Sequence, residues 1–301
     1  MSDRSPPIYT PYDGSAKPFT IGLTQLDPEN WIEPDGDLDA YLSEKSRLLG
    51  VVRDQIFVEE DGTRDSQVEM LSLLSAYLPD RFPAIYKRDG TILQAGAQTI
   101  DLADPGTPPL ILAGSLVQDD LVIMRRKETG WHLVAGYVAF PSSWRLVEKF
   151  GRSMDEIHDV VPGFQGGTRN AELINRMFDS LQVGRLVRRF NWSINPDGEL
   201  YHPRSKALGA VPGVEPLRLN DAFVRVERQT LCKLPGSGDI VFTIRIYTDP
   251  LAMLESHADG ARIATALADQ LTELDQEQTA YKGFTARRDE LIAALRSTAG
   301  G

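Results

Sequence analysis

The sequence predicts an α+β fold built on an antiparallel sheet, and three observations carry that reading. Two period-two stretches between Leu121 and Phe140 precede a run of short helical segments, and three more strands follow at "RLVRRFNWSI", "AFVRVERQTL" and "DIVFTIRIY". The last two strands are joined by "LPGSG", a hairpin-type turn and not a helical crossover. Helical periodicity sits on both flanks of this block, so strands and helices are segregated instead of alternating.

Taken in order, residues 1–40 are rich in Pro, Asp and Gly with scattered aromatics, Tyr9, Tyr12, Phe19 and Trp31 among them. That composition reads as an extended N-terminal arm, whose aromatics need a surface to pack on. Apolar residues at helical spacing predict helices over 38–50 and 64–78. "KRDGTIL" places Asp-Gly between short runs, a strong hairpin signal. Between the two strand groups lie two or three helices, the clearest in "TRNAELINRMFDSL", where Leu173, Ile174, Met177, Phe178 and Leu181 form one stripe. From about 257 the chain turns helical again, with an interruption near Gly283. The expected division is an arm over 1–40, a core with its N-terminal helices over 41–256, and a C-terminal helical extension over 257–301.

Composition narrows the function. With 301 residues, 42% of them hydrophobic, the chain can bury a core and a small-molecule pocket. A net charge of −11 argues against nucleic acid or an anionic membrane as partner, because both select clustered Lys and Arg. Neither a signal-peptide pattern nor a long uninterrupted apolar run is present, which predicts a cytoplasmic protein. The single cysteine, Cys232, cannot form an internal disulfide or build an iron–sulfur site, and its strand setting reads as a small buried hydrophobe.

Four histidines are available. Ser153 with Glu156 forms a capping box, and Pro162 disfavours helix at Val161, so His158 falls in the last turn of a very short helix. Met154 and Ile157 lie on its side of that helix. An imidazole there suits either of two roles: an axial metal ligand with one nitrogen tied to a carbonyl, or a core-edge side chain bonded the same way. His132 alternates within a strand, His202 sits in a loop, and His257 opens the C-terminal helix. No HExxH, P-loop, GxGxxG or nucleophile elbow is present.

Arginines in the late strands are the second oddity. Ile240, Phe242, Ile244 and Ile246 form one apolar row of the last strand. The matching rows in the two strands before it are expected to hold Phe190, Trp192 and Ile194, with Arg188, and Val224, Val226, Thr230 and Cys232, with Arg228. A buried guanidinium needs a partner or a use. The partner could be Glu227, Asp120 or Glu148; the use could be polarising a bound ligand. The same alternation puts Glu227 on the face opposite Arg228.

Several segments together carry a resemblance. "FPSSW", "IHDVVPG", "RFNW" and "ERQTLCKLPGSGDIVFTIRIY", with "WIEPD" near the N-terminus, resemble the heme-dependent oxidative N-demethylase alpha-subunit-like family over roughly 20–290. Val160 stands where that family's motif usually has its first proline. The resemblance implies a PAS-like antiparallel sheet whose short helices clasp a heme b, an order of elements that agrees with the strand–strand–helices–three-strand pattern. It implies His158 as proximal heme ligand, with Phe190, Trp192, Phe242 and Ile244 walling the porphyrin. Further implied are Arg228, with Arg188 nearby, as donor to the dioxygen, and Glu227 as the carboxylate that holds or deprotonates an amine. The implied reaction is oxidative N-demethylation of a small secondary amine such as dimethylamine, using O2. Electrons come from NADPH through a separate reductase subunit carrying FMN and a 2Fe–2S cluster, and tetrahydrofolate accepts the formaldehyde. A non-catalytic heme or gas sensor with the same pocket is the alternative; the lack of a recognisable output segment favours the enzyme.

Overall fold

The computed structural model describes residues 7–203, 218–282 and 287–299. The expected interruption at Gly283 lies outside the described residues. Seven antiparallel strands form the main sheet: β1 (Thr24–Leu26), β2 (Phe57–Glu59), β6 (Asp120–Lys127), β7 (Gly130–Tyr137), β8 (Leu186–Asn195), β9 (Phe223–Lys233) and β10 (Ile240–Pro250). Their order across the sheet is β1-β8-β9-β10-β6-β7-β2. A second sheet holds β3 (Tyr86–Asp89), β4 (Ile92–Ala95) and β5 (Gln98–Asp101), and the expected Asp-Gly turn joins its first two strands. Gly90 takes φ of 59° there, a conformation glycine adopts without steric cost.

The early helices run longer than their periodicity indicates. α1 spans Leu38–Ile56 and α2 spans Arg64–Arg81, and α3 (Pro109–Gly114) is buried throughout. Between the strand groups lie α4 (Leu146–Lys149), α5 (Met154–His158) and α6 (Arg169–Ser180). The C-terminal segment folds as α7 (Gly260–Glu273), α8 (Gln276–Lys282) and α9 (Arg288–Ala299).

Both faces of the sheet are covered, and this shapes the sequence. β9 is buried at nine consecutive positions, so it shows none of the apolar–polar alternation of a one-sided strand. α7 and α9 pack with Tyr12, Trp192, Val224, Val226 and Tyr247 on one face. Met154, Phe164, Ile174 and Phe178 cover the other, against Val122, Leu133 and Leu231.

Residues of the N-terminal segment pack against the sheet and α2. Tyr9 meets Phe190 with ring centroids 4.7 Å apart, Trp31 meets Tyr77 at 5.5 Å, and β1 pairs with the edge of β8. Its far end is anchored by buried arginines: Arg228 donates to the Trp31 carbonyl at 3.0 Å and pairs with Glu33 at 3.1 Å, while Arg245 pairs with Asp35 at 2.7 Å.

Strand register corrects the row matching. Lys233 pairs with Ile240, so even-numbered residues of β10 share a face with odd-numbered residues of β9. Phe242 therefore stands beside Leu231, and Ile244 beside Gln229; Arg228 stands beside Arg245 and Phe190 on the reverse side.

Candidate functional site

A cavity of about 550 Å³ opens between the sheet and α4–α6, within the range of small-molecule and cofactor sites. Its floor is the face of the sheet that carries Arg189, Asn191, Glu227, Gln229, Phe242 and Ile244. Its roof comes from Lys149, Met154, Ile157, His158, Phe164 and Phe178. Phe19, Ile21 and Leu23 of the arm, with Tyr281 of α8, close the remaining side.

The His158 position is built locally. Ser153 Oγ accepts from the Glu156 amide at 3.3 Å, and Glu156 accepts from the Ser153 amide at 2.7 Å, so the expected capping box is present. His132 secures the entry to this helix: its Nδ1 bonds the Gly151 carbonyl at 2.9 Å, its Nε2 bonds Thr129 Oγ1 at 2.7 Å, and its backbone bridges to Ser153. With both ring nitrogens used, His132 is structural.

His158 differs. Its Nδ1 donates to the Met154 carbonyl at 2.9 Å, one turn back, which fixes the tautomer and leaves Nε2 with no hydrogen-bond partner among the described residues. Burial pushes its pKa down to about 4; the bond to Met154 opposes the shift, and Lys149 and Arg189 reinforce it. The ring is therefore neutral at physiological pH. An imidazole held by a backbone carbonyl, with its second nitrogen free in an apolar cavity, has the form of a single axial ligand. Among the described residues no group of three or more His, Cys, Asp or Glu gathers to hold a metal ion, so the donor set suits a cofactor that brings its own equatorial ligands. The apolar walls and the volume fit a porphyrin on the same terms.

The other sequence-predicted residues divide between the two faces. Glu227 lines the cavity, buried, and accepts from Gln229 Nε2 at 2.6 Å. Phe242 and Ile244 line it, and Trp192 borders it while its ring packs on Tyr12 with centroids 6.2 Å apart. Phe190, Arg188 and Arg228 do not line it. Phe190 packs on Tyr9, and the Arg188 guanidinium lies 4.9 Å from the Phe190 ring centroid. Arg228 is wholly buried on the reverse side, bonded to the Trp31 and Asn30 carbonyls and to Glu33. The paired-carboxylate reading of Arg228 thus holds with Glu33 as partner, in place of Glu227, Asp120 or Glu148.

Several cavity residues escaped the sequence reading. Gln229 and Arg189 sit in the same row as Glu227, so following that row along β9 into β8 would have found them. Tyr281 and Lys149 reach the cavity from α8 and α4, with no signal in their own segments. Burial pushes the Tyr281 hydroxyl up to about 12, with the charge of Glu227 adding to the rise. Cys232 is buried and its thiol is pushed up to about 12 by desolvation, consistent with packing alone.

With this geometry in hand, comparison with protein families decides the kinship. The chain belongs to the family described as "Haem-dependent oxidative N-demethylase, alpha subunit-like". The match spans residues 22–292, from the arm to α9. The family's name carries a heme requirement, an oxidative N-demethylation and a place in a multi-subunit assembly. Among the described residues no helix is long and apolar enough to cross a membrane.

Proposed function

We propose that this chain is the heme-binding catalytic subunit of an oxidative N-demethylase acting on a small secondary amine, with dimethylamine as the type substrate. The observation that carries the proposal is His158: a neutral imidazole tied to Met154 through Nδ1, its Nε2 without a hydrogen-bond partner among the described residues, at a largely apolar cavity of about 550 Å³. His158 would hold the iron through Nε2, in a PAS-like clasp formed by the sheet and the short helices α4–α6. The bound heme supplies the oxygen-dependent oxidation chemistry, with electrons delivered from NADPH through a reductase subunit bearing FMN and a 2Fe–2S cluster and formaldehyde passed to tetrahydrofolate. NADPH supply suits a cytoplasmic setting.

The chain's own residues then have distinct tasks. Glu227 accepts a hydrogen bond from the substrate ammonium and takes its proton, leaving the nitrogen lone pair available; Gln229 holds the carboxylate in position through its 2.6 Å bond. Phe242, Ile244 and the Trp192 edge exclude water, which strengthens the Glu227–ammonium interaction. Arg228 and Arg188 act at a distance, Arg228 by anchoring the arm that brings Phe19, Ile21 and Leu23 to the cavity.

The test is hemin titration of the purified protein followed by visible spectroscopy, then amine-dependent NADPH consumption with the reductase. Wild type should give a histidine-ligated Soret band that His158→Ala loses or shifts. Full, normally ligated heme in His158→Ala protein would refute the ligand assignment, and turnover unchanged in Glu227→Gln would remove that carboxylate from the reaction.

A further inference from the structure

Two cations line the cavity without an ion pair among the described residues. Arg189 lies mid-strand on β8 with its guanidinium directed at the cavity. Among the described residues its Nε is buried without a hydrogen-bond partner, and its hydrogen bond there is a long 3.4 Å contact from Nη2 to the Thr20 carbonyl. Lys149, at the end of α4, lines the same cavity; its ammonium sits 4.5 Å from the Trp144 ring centroid and has no hydrogen bond or ion pair among the described residues. The nearby carboxylates make contacts of their own, and the single charge of Glu227 offsets only part of the two positive charges. Glu148 is held by Arg145, Glu156 by Ser153, and Glu227 accepts from Gln229.

Both side chains are half-buried, and two cations against one carboxylate leave the cavity with an excess of positive charge. A cation without a hydrogen-bonded counter-ion is costly to desolvate, so the site suits an anion that arrives later. Burial depresses both groups, with the charge of Glu227 opposing in each case, and both also hold His158 neutral. The two cations and the free imidazole nitrogen therefore lie within electrostatic reach of one another.

We propose that Arg189 and Lys149 form a two-cation subsite for the carboxylates of the cavity's ligand, and, on the heme reading above, that these are the two side-chain carboxylates of the porphyrin. Arg189 suits a bidentate contact through its unpaired Nε and an Nη, and Lys149 a single charged contact.

The test compares hemin with its dimethyl ester, which keeps the iron and ring but removes both negative charges. The full-length chain is titrated with each, following the Soret region, for wild type, Arg189→Gln, Lys149→Met and the double variant. Thermal melts confirm that the variants fold. Removing one charge-assisted contact should weaken hemin binding by about tenfold to a hundredfold, with the ester bound alike by all four proteins and the histidine-type spectrum unchanged. Hemin bound equally tightly by wild type and the double variant would overturn the subsite while leaving His158 ligation intact. An equal loss for acid and ester would assign the two residues to packing and overturn it as well. Variants that keep hemin but lose an anionic amine, such as an N-methylated amino acid, would assign the cations to substrate and overturn the porphyrin reading. A wild-type protein with no His158-dependent hemin spectrum would refute the heme reading itself, and with it this use of the two cations.

Discussion

Arg228→Met separates two roles that one sequence position could play. The guanidinium is wholly buried, donates to the Trp31 carbonyl at 3.0 Å and to the Asn30 carbonyl, and pairs with Glu33 at 3.1 Å. Methionine fills much of the volume but leaves two carbonyls and one carboxylate without their donor. Removing one partner of a buried pair costs about 3–5 kcal/mol. Glu33 is 27% exposed and keeps bonds from Tyr9 at 2.7 Å and Tyr247 at 3.1 Å, which puts the loss at the lower end, about 3 kcal/mol. A chain of 301 residues has an unfolding entropy of roughly 0.6 kcal/mol/K, so the melting temperature should fall by roughly 5 °C. Hemin affinity should fall no more than a few-fold, because the residue lies on the other face of the sheet. The assays are a thermal melt by circular dichroism and a hemin titration. An unchanged melting temperature together with a large loss of affinity would refute the reasoning and return Arg228 to the cavity.

Three further perturbations test other parts of the structure. In the metal-free protein the unfolded His158 imidazole takes up its proton near pH 6.5 and the folded one only near pH 4, so unfolding binds a proton across that window and stability falls as pH falls through it. Chemical denaturation of wild type and His158→Gln should therefore show wild type losing up to roughly 3 kcal/mol relative to the variant between pH 7 and pH 4; a constant difference would mean that the ring is not desolvated. Ser153→Ala removes the cap of a five-residue helix at a cost of about 1 kcal/mol, and hemin affinity should drop with it; unchanged affinity would show that His158 does not depend on the cap. Gly260→Ala places a Cβ 1.8 Å from the Leu254 carbonyl oxygen, a backbone atom that cannot swing away, so denaturant titration should show a loss of more than about 2 kcal/mol, and a loss under 1 kcal/mol would show that the start of α7 shifts freely.

Much of the fold was legible because local chemistry wrote it. The α5 cap is stated by Ser153, Glu156 and Pro162 within ten residues, and α6 by a stripe of five apolar side chains. The strands of the main sheet other than its two edges were found from their length, their β-branched and aromatic residues and the turns that bound them. β1 and β2 were not, since three-residue strands hold too few positions to show a period, and they exist because β8 and β7 offer free edges. The candidate ligand was legible for the same local reason: nothing distant is needed to put His158 at the end of a capped helix beside Met154.

What the sequence withheld was which way the sheet faces. Burial on both sides erases the contrast between an apolar and a polar face, so β9 reads as Val224, Val226, Arg228 on one row and Arg225, Glu227, Gln229 on the other, with charge in each. Only the hairpin resolves the choice. Six residues separate Lys233 from Ile240, and that even count pairs odd positions of β9 with even positions of β10. Phe242 and Ile244 are thereby set beside Leu231 and Gln229, in the row that also holds Glu227, and Arg228 is set against the arm. One residue more or fewer in "LPGSGD" would exchange the two rows. The carboxylate would then point at Trp31 and the guanidinium into the cavity. The loop length thus decides whether a carboxylate or a guanidinium faces the cavity.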